Sequence, residues 1–223
     1  MATTKAQRWG IMIIMLIMIG GTLGSFAVMI LSAENSKKDQ AEGQRIIKEY
    51  QKVQQTYQAK VDAQTKQLSD KYYPTLSQYK DQVASFDRDS VTAMQTEDLQ
   101  EGTGEEIKDT TAFAAYYIGW NPKGKIFDQS IDKDKLKAPL LVGQGLKKAS
   151  VITGWKEGIK GMKIGGVRKL VIPSDKAYGE AGQGDDIPAN TPLSFIVMAI
   201  PAPATIPQPD TSKLIEAYSR LQQ

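Results

Sequence analysis

VITGWKEGIKGMKIGG, residues 151–166, decides how the second half of the chain is read. Trp155, Ile159 and Met162 stand at i, i+4 and i+7, so a short helix over 155–162 carries all three on one face, suited to lie against a sheet. The glycines around it do not make a phosphate loop. The Gly-Lys-Ser/Thr ending is missing, and no buried strand feeds a long helix here. Working outward, β-type runs fall at 91–99, 111–117, 167–172 and 193–200, separated by turns at 101–104, 121–124 and 179–186. Residues 91–203 therefore read as an α+β domain, a small and mainly antiparallel sheet with one short helix.

Composition sets the limits of the chemistry. The chain has 223 residues, with no Cys and no His, and 28 Lys+Arg against 25 Asp+Glu. Thiol nucleophiles, Ser-His dyads, HExxH zinc sites and disulfides are all excluded. A net charge of +3, spread along the chain, supplies no concentrated basic face, so no nucleic-acid partner is expected. No solenoid repeat is visible.

The flanks read differently. After a tail over 1–8, residues 9–31 are uncharged from Trp9 to Leu31; as a helix they would extend about 34 Å, enough for a bilayer core. Lys5 and Arg8 precede this run, which sets residues 34–223 outside the cytoplasm as the globular part of a single-pass membrane protein. The competing reading is a signal peptide cleaved near Ala27. Val28, Met29, Ile30 and Leu31 continue the apolar run beyond that point and favour the anchor.

Residues 34–73 carry Ile46, Tyr50, Val53, Tyr57, Val61, Leu68 and Tyr72 at steps of three, four and seven, one face of a helix. Pro74 should end that helix, because the residue before proline is pushed out of helical geometry. This segment is open to two readings, a coiled-coil or client-gripping arm, or a spacer whose apolar stripe lies on its own domain; spacer or weak self-association through residues 46–72 is favoured over a dedicated binding arm. Tyrosines where leucines would serve argue against a tight zipper. Residues 74–90 form a polar lead-in with only Leu76, Tyr79, Val83 and Phe86 to bury. At the other end, 204–223 combine a Pro-rich linker with a short amphipathic helix bearing Leu214, Ile215, Tyr218 and Leu221. A helix this short is marginal alone and needs a surface to dock on.

Within 91–203 the order of five segments carries more than any single residue does. YYIGW (116–120), GKIFDQS (124–130), VITGWKEGIKGMKIGG (151–166), KLVIPSDKAYGEAG (169–182) and IPANTPLSFIVMAI (187–200) closely resemble the FKBP-type peptidyl-prolyl cis-trans isomerases. The resemblance covers about half of the chain. It implies a five- or six-stranded antiparallel half-barrel wrapped on one short helix, here preceded by a membrane-spanning helix and a helical spacer. It also implies proline-containing polypeptide clients, macrolide binding, and no cofactor or metal.

By that resemblance Tyr117, Phe127, Val151, Ile152, Tyr178 and Phe195 wall an apolar proline pocket floored by Trp155, with Asp128 at its mouth and Ile187 on its rim. The Ile152 N–H and the Tyr178 hydroxyl would bond carbonyls of the bound peptide. Asp128, Tyr178, Tyr117 and Phe195 would act in turnover, and the others in binding. The sequence departs from the family pattern at three places. Lys133 replaces the basic partner of the pocket aspartate, Leu140 stands where an aromatic wall residue is usual, and the loop after Tyr178 carries Gln183, Asp185 and Asp186. The altered loop leaves a second reading open, a binding or scaffolding module with little turnover.

Overall fold

The computed structural model describes residues 37–221, which fall into two compact units, one over Thr65–Ala204 and one made of 37–64 with 205–221. The 9–31 segment lies outside the described residues. Among those described, no helix is long and apolar enough to cross a membrane.

The sheet is six-stranded and antiparallel throughout. Its strands are β1 (Gln95–Gln100), β2 (Phe113–Trp120), β3 (Ile126–Gln129), β6 (Leu140–Val142), β7 (Val167–Ile172) and β8 (Leu193–Pro201). The order is β1-β7-β8-β2-β3, with β6 also pairing β2. Between β3 and β6 a small hairpin, β4 (Ile131–Asp132) and β5 (Lys135–Leu136), forms a separate two-stranded sheet. The long central pair β2 and β8 registers Phe113 with Pro201 and Trp120 with Ser194. The strand expected over 91–99 begins later, at Gln95, and β2 runs three residues further than expected, because Ile118, Gly119 and Trp120 remain paired to β8.

Every residue of β2 is buried, which ordinary alternation with one wet face would not give. Two cores explain it. On the inner face, Phe113, Ala115 and Tyr117 meet Phe195, Val197 and Ala199 of β8 and Leu170 and Ile172 of β7. These pack under helix α2, Thr153–Ile159, through Trp155 and Ile159. Helix α2 starts and ends earlier than the expected 155–162, and Met162 still joins the same core from the turn that follows. Gly154 and Gly158 let α2 come close to the sheet, since a Cβ on either would stand 2.3 Å from Ile172 Cγ2 or 2.8 Å from Leu170 Cδ2.

The outer face, with Ala114, Tyr116, Ile118 and Trp120 of β2 and Ile196, Met198 and Ile200 of β8, is covered by residues the sequence reading assigned to spacer and lead-in. Helix α1, Lys37–Ser77, supplies Leu68, Tyr72, Tyr73 and Leu76; Tyr79, Val83 and Phe86 continue the cover, and Ile131 and Leu136 close it from the small hairpin. The polar lead-in is thus a strap across the sheet. Leu68 and Tyr72 are spent on the chain's own domain, a correction to self-association through the whole of 46–72: an apolar sheet face of this size has to be covered, and these residues cover it.

Helix α1 also passes through Pro74 instead of ending at residue 73. The pre-proline restriction is a preference that packing can outweigh. Leu76, fully buried beyond the proline, fixes the last turn in place. In the second unit, helix α3, Ser212–Arg220, lies beside the first turns of α1. A Cβ at Gly43 would be 3.9 Å from both Tyr218 Cε2 and Leu221 Cδ1, and Ile46 and Tyr218 are buried.

Candidate active site

The inner core ends in a chain of aromatic rings. Tyr117 meets Trp155 edge to face at 5.2 Å, Trp155 meets Phe195 at 5.6 Å, and Phe195 meets Phe127 at 5.5 Å, all with interplanar angles between 84° and 87°. Such T-shaped pairs are the favoured aromatic geometry and hold one another in position. Trp155 is brought there by α2, Tyr117 by β2, Phe195 by β8 and Phe127 by β3.

Phe127 and Asp128 are consecutive, yet both serve this face. The register between β2 and β3 explains how: Gly119 pairs with Asp128 and Trp120 with Ile126, so Phe127 is the extra residue of a β-bulge. A bulge re-aims side chains that strict alternation would send to opposite faces. Asp128 Oδ2 consequently accepts a 2.5 Å hydrogen bond from the Tyr117 hydroxyl. Ser130 continues the pairing beyond β3, its hydroxyl accepting from the Tyr117 N–H at 2.9 Å while its own N–H donates to the Tyr117 carbonyl at 2.8 Å.

The remaining expected residues gather around the same rings. Ile187 is buried in the inner core, and Leu140, Val151, Ile152 and Tyr178 are half-buried against it. Leu140 opens β6 opposite Ala115 of β2. Ile152 stands just before α2 in extended geometry, with its carbonyl accepting from the Trp155 and Lys156 N–H groups. Its own N–H has no partner among the described residues. Tyr178 precedes a short 3-10 turn, Gly179–Ala181, that opens the following loop. All ten residues are thereby brought together.

Lys133 is placed elsewhere. It sits exposed at the tip of the β4–β5 hairpin with φ 57°, and its carbonyl lies 3.5 Å from the Tyr73 hydroxyl on the covered outer face. The hairpin is drawn to that face because Ile131 and Leu136 are needed in the outer core.

One residue went unnoticed in the sequence. Gly119 pairs across the sheet with Phe195 on one side and Asp128 on the other, and a Cβ there would fall 2.6 Å from Phe195 Cε1 and 2.9 Å from Phe127 Cζ. The missing side chain is what lets the two phenylalanine rings meet. A glycine inside the otherwise bulky strand YYIGW was the available signal.

An FK506-binding protein of Neisseria meningitidis serogroup A is 45% identical over 101 residues, which cover 45% of this chain and 88% of the relative. The chain belongs to the FKBP-type peptidyl-prolyl cis-trans isomerase family. The sequence pattern of that family matches residues 103–200, β2 through β8 with every site residue named above. An FKBP-type peptidyl-prolyl cis-trans isomerase, FkpA, of Aeromonas hydrophila is 35% identical over 168 residues, covering 70% of this chain and 58% of the relative. A crystal structure of a peptidyl-prolyl cis-trans isomerase from Pseudomonas syringae shares 35% identity over 51% of this chain and 78% of its own, with a TM-score of 0.43. The family is one of enzymes, and the chain itself has neither Cys nor His.

Proposed function

We propose that this FKBP-type isomerase acts on X-Pro bonds of exported or membrane-proximal polypeptides while held at the membrane by residues 9–31. The observation that carries the site is the ring chain Phe127–Phe195–Trp155–Tyr117 locked at one end by the Tyr117 to Asp128 hydrogen bond. The proline ring sits over Trp155, between Tyr117 and Phe195, with Phe127, Val151, Leu140 and Ile187 completing an apolar enclosure.

Rotation about the X-Pro bond is slow because resonance flattens the amide, with a barrier of about 18 to 20 kcal/mol. No bond to a nucleophile has to form. An apolar enclosure disfavours the charge-separated planar amide relative to the twisted one, in which the double-bond character is lost. The Ile152 N–H and the Tyr178 hydroxyl hold peptide carbonyls and fix the part of the substrate that does not rotate. Asp128, held by the Tyr117 hydroxyl, stands at the mouth of the enclosure in which the bond rotates. Support for the membrane assignment is the uncharged run itself, preceded by Lys5 and Arg8.

The test is the cis-to-trans rate of short X-Pro peptides and the refolding rate of a proline-limited protein, with and without FK506, the macrolide for which the Neisseria relative is named. Saturable acceleration blocked by the macrolide supports the reading. Peptide binding without acceleration in either assay overturns it in favour of a gripping module. Protease protection of the intact chain in vesicles tests the membrane placement separately.

A further inference from the structure

The loop from Gly179 to Asn190 is anchored in the inner core by Ile187, and its glycines make the rest of it costly to order. Gly179, Gly182 and Gly184 all have positive φ, and glycine loses more conformational freedom on ordering than any other residue. Within the loop, Gln183 N–H donates to the Ile187 carbonyl at 2.6 Å and Asn190 N–H to the Gly179 carbonyl at 2.7 Å. Its other ties come from outside. Asn121 Nδ2 donates to the Asp186 carbonyl at 2.9 Å, and Lys125 pairs with the Asp186 carboxylate at 2.5 Å from an exposed position.

The third tie comes from the strap. Arg88 Nη2 donates to two successive carbonyls, Ala189 at 3.1 Å and Asn190 at 2.8 Å. Arg88 is itself placed by the outer core: Phe86 packs there and donates its N–H to the Pro122 carbonyl at 3.0 Å, and Trp120 Nε1 donates to the Ala84 carbonyl at 3.0 Å. A charged donor bridging two carbonyls is a stronger tie than a neutral one. The Lys125–Asp186 pair and the Arg88 hydrogen bonds are all exposed, and the Arg88 tie differs in joining two backbone carbonyls at once.

We propose that Arg88, which lies outside the family match over 103–200, is a positioning residue for the site: it orders the 179–190 loop before substrate arrives and so sets substrate affinity. This rests on the isomerase reading of the site. A loop already held in its binding geometry removes an ordering cost from association. The hydrogen bonds of Arg88 go to backbone carbonyls of the loop, so its loss should weaken binding and leave the bound turnover alone.

The experiment uses the full chain, purified in mild detergent on account of the apolar 9–31 run, with R88A and R88K compared to the parent. Amide exchange by NMR reads the tie directly. In R88A the Gln183 and Asn190 amides should exchange roughly three to ten times faster, the loss expected of one or two hydrogen bonds, with β8 amides unchanged. KM for X-Pro peptides should rise by a similar factor while kcat stays within about twofold. R88K should recover part of both effects, because an ammonium can still reach one carbonyl. Unchanged exchange at Gln183 and Asn190, or an equal rise in β8, overturns the proposal; so does a fall in kcat at constant KM. If the parent chain turns over no peptide, the isomerase reading fails, and peptide affinity of R88A against the parent, taken with exchange, still decides the role of Arg88.

Discussion

The Tyr117 hydroxyl reaches across from β2 to Asp128 Oδ2 on β3 at 2.5 Å, and the same Tyr117 ring stands edge-on to Trp155. One hydrogen bond thus fixes both the Asp128 carboxylate and the Tyr117 ring of the proposed site. Asp128→Leu should lower kcat/KM for X-Pro peptides by about tenfold, and Tyr117→Phe by less, since the ring remains. The double variant should lose less than the sum, because both changes break one contact. Rates equal to the parent in both single variants would place the chemistry elsewhere.

Gly119 faces Phe195 and Phe127 so closely that even a methyl group collides with both rings. Gly119→Ala should cost about 1 to 3 kcal/mol in urea unfolding, the usual penalty of overpacking a rigid core. It should also push the rings into the enclosure and raise KM. A variant as stable as the parent with unchanged KM would show that the rings yield freely.

Arg168 and Asp98 are register partners on β7 and β1, joined by Nε to Oδ1 at 2.7 Å and Nη2 to Oδ2 at 2.9 Å. Arg168 Nη1 also donates to the Gly158 carbonyl at 3.0 Å, tying the end of α2 to the sheet. The hydrogen bond from Arg168 holds the Asp98 carboxyl below its ordinary 3.8, against the opposing effect of partial burial and with the help of the Arg168 charge. A depressed carboxylate stabilises the fold above its unfolded value, and the gain is lost as pH falls through the lower folded value. Asp98→Asn should therefore be less stable than the parent at neutral pH, by about 0.5 kcal/mol because Asp98 is half exposed. The gap should close in acid below 3.8. Parallel urea titrations at several pH values read it; a gap that persists in strong acid would mean packing, not charge.

Tyr116 is fully buried in the outer core, and its hydroxyl has no hydrogen-bond partner among the described residues. Burial, and then the neighbouring Tyr72, push its ionisation up to about 12. A raised value means full stability below the unfolded value of 10.0 and a progressive loss as pH rises toward 12. Tyr116→Phe should gain up to about 1 kcal/mol at neutral pH, since no protein hydrogen bond is given up. The variant should also lose less stability than the parent in alkali. A clear loss at neutral pH would show that the hydroxyl is satisfied through solvent.

Much of the fold was legible because local patterns and global packing agree along 111–200. The run KLVI, the run LSFIVMAI and the i, i+4 spacing of Trp155 and Ile159 need no tertiary knowledge to be read as strand, strand and helix face. The proposed site residues could be named only from an ordered set of segments, since a buried aromatic such as Phe195 looks the same whether it fills a core or walls a pocket. Boundaries were less secure. Pro74 suggested an end to α1 that Leu76, buried two residues later, overrides.

The sequence by itself determined the inner core, the order of the elements and a chemistry free of thiol and imidazole, all properties of residue type and short spacing. Only the tertiary structure decided that Phe127 and Asp128 share one face, because a bulge is set by pairing with β2 and leaves no mark on residues 126–129 alone. It likewise decided that 74–90 is a strap over a second core. Leu76, Tyr79, Val83 and Phe86 are too few to look like a core, and they become one only when β2 and β8 present an apolar outer face opposite them. Arg88 acquires its reach to Ala189 and Asn190 in the same way, across a hundred residues of chain that the folding of the sheet brings together.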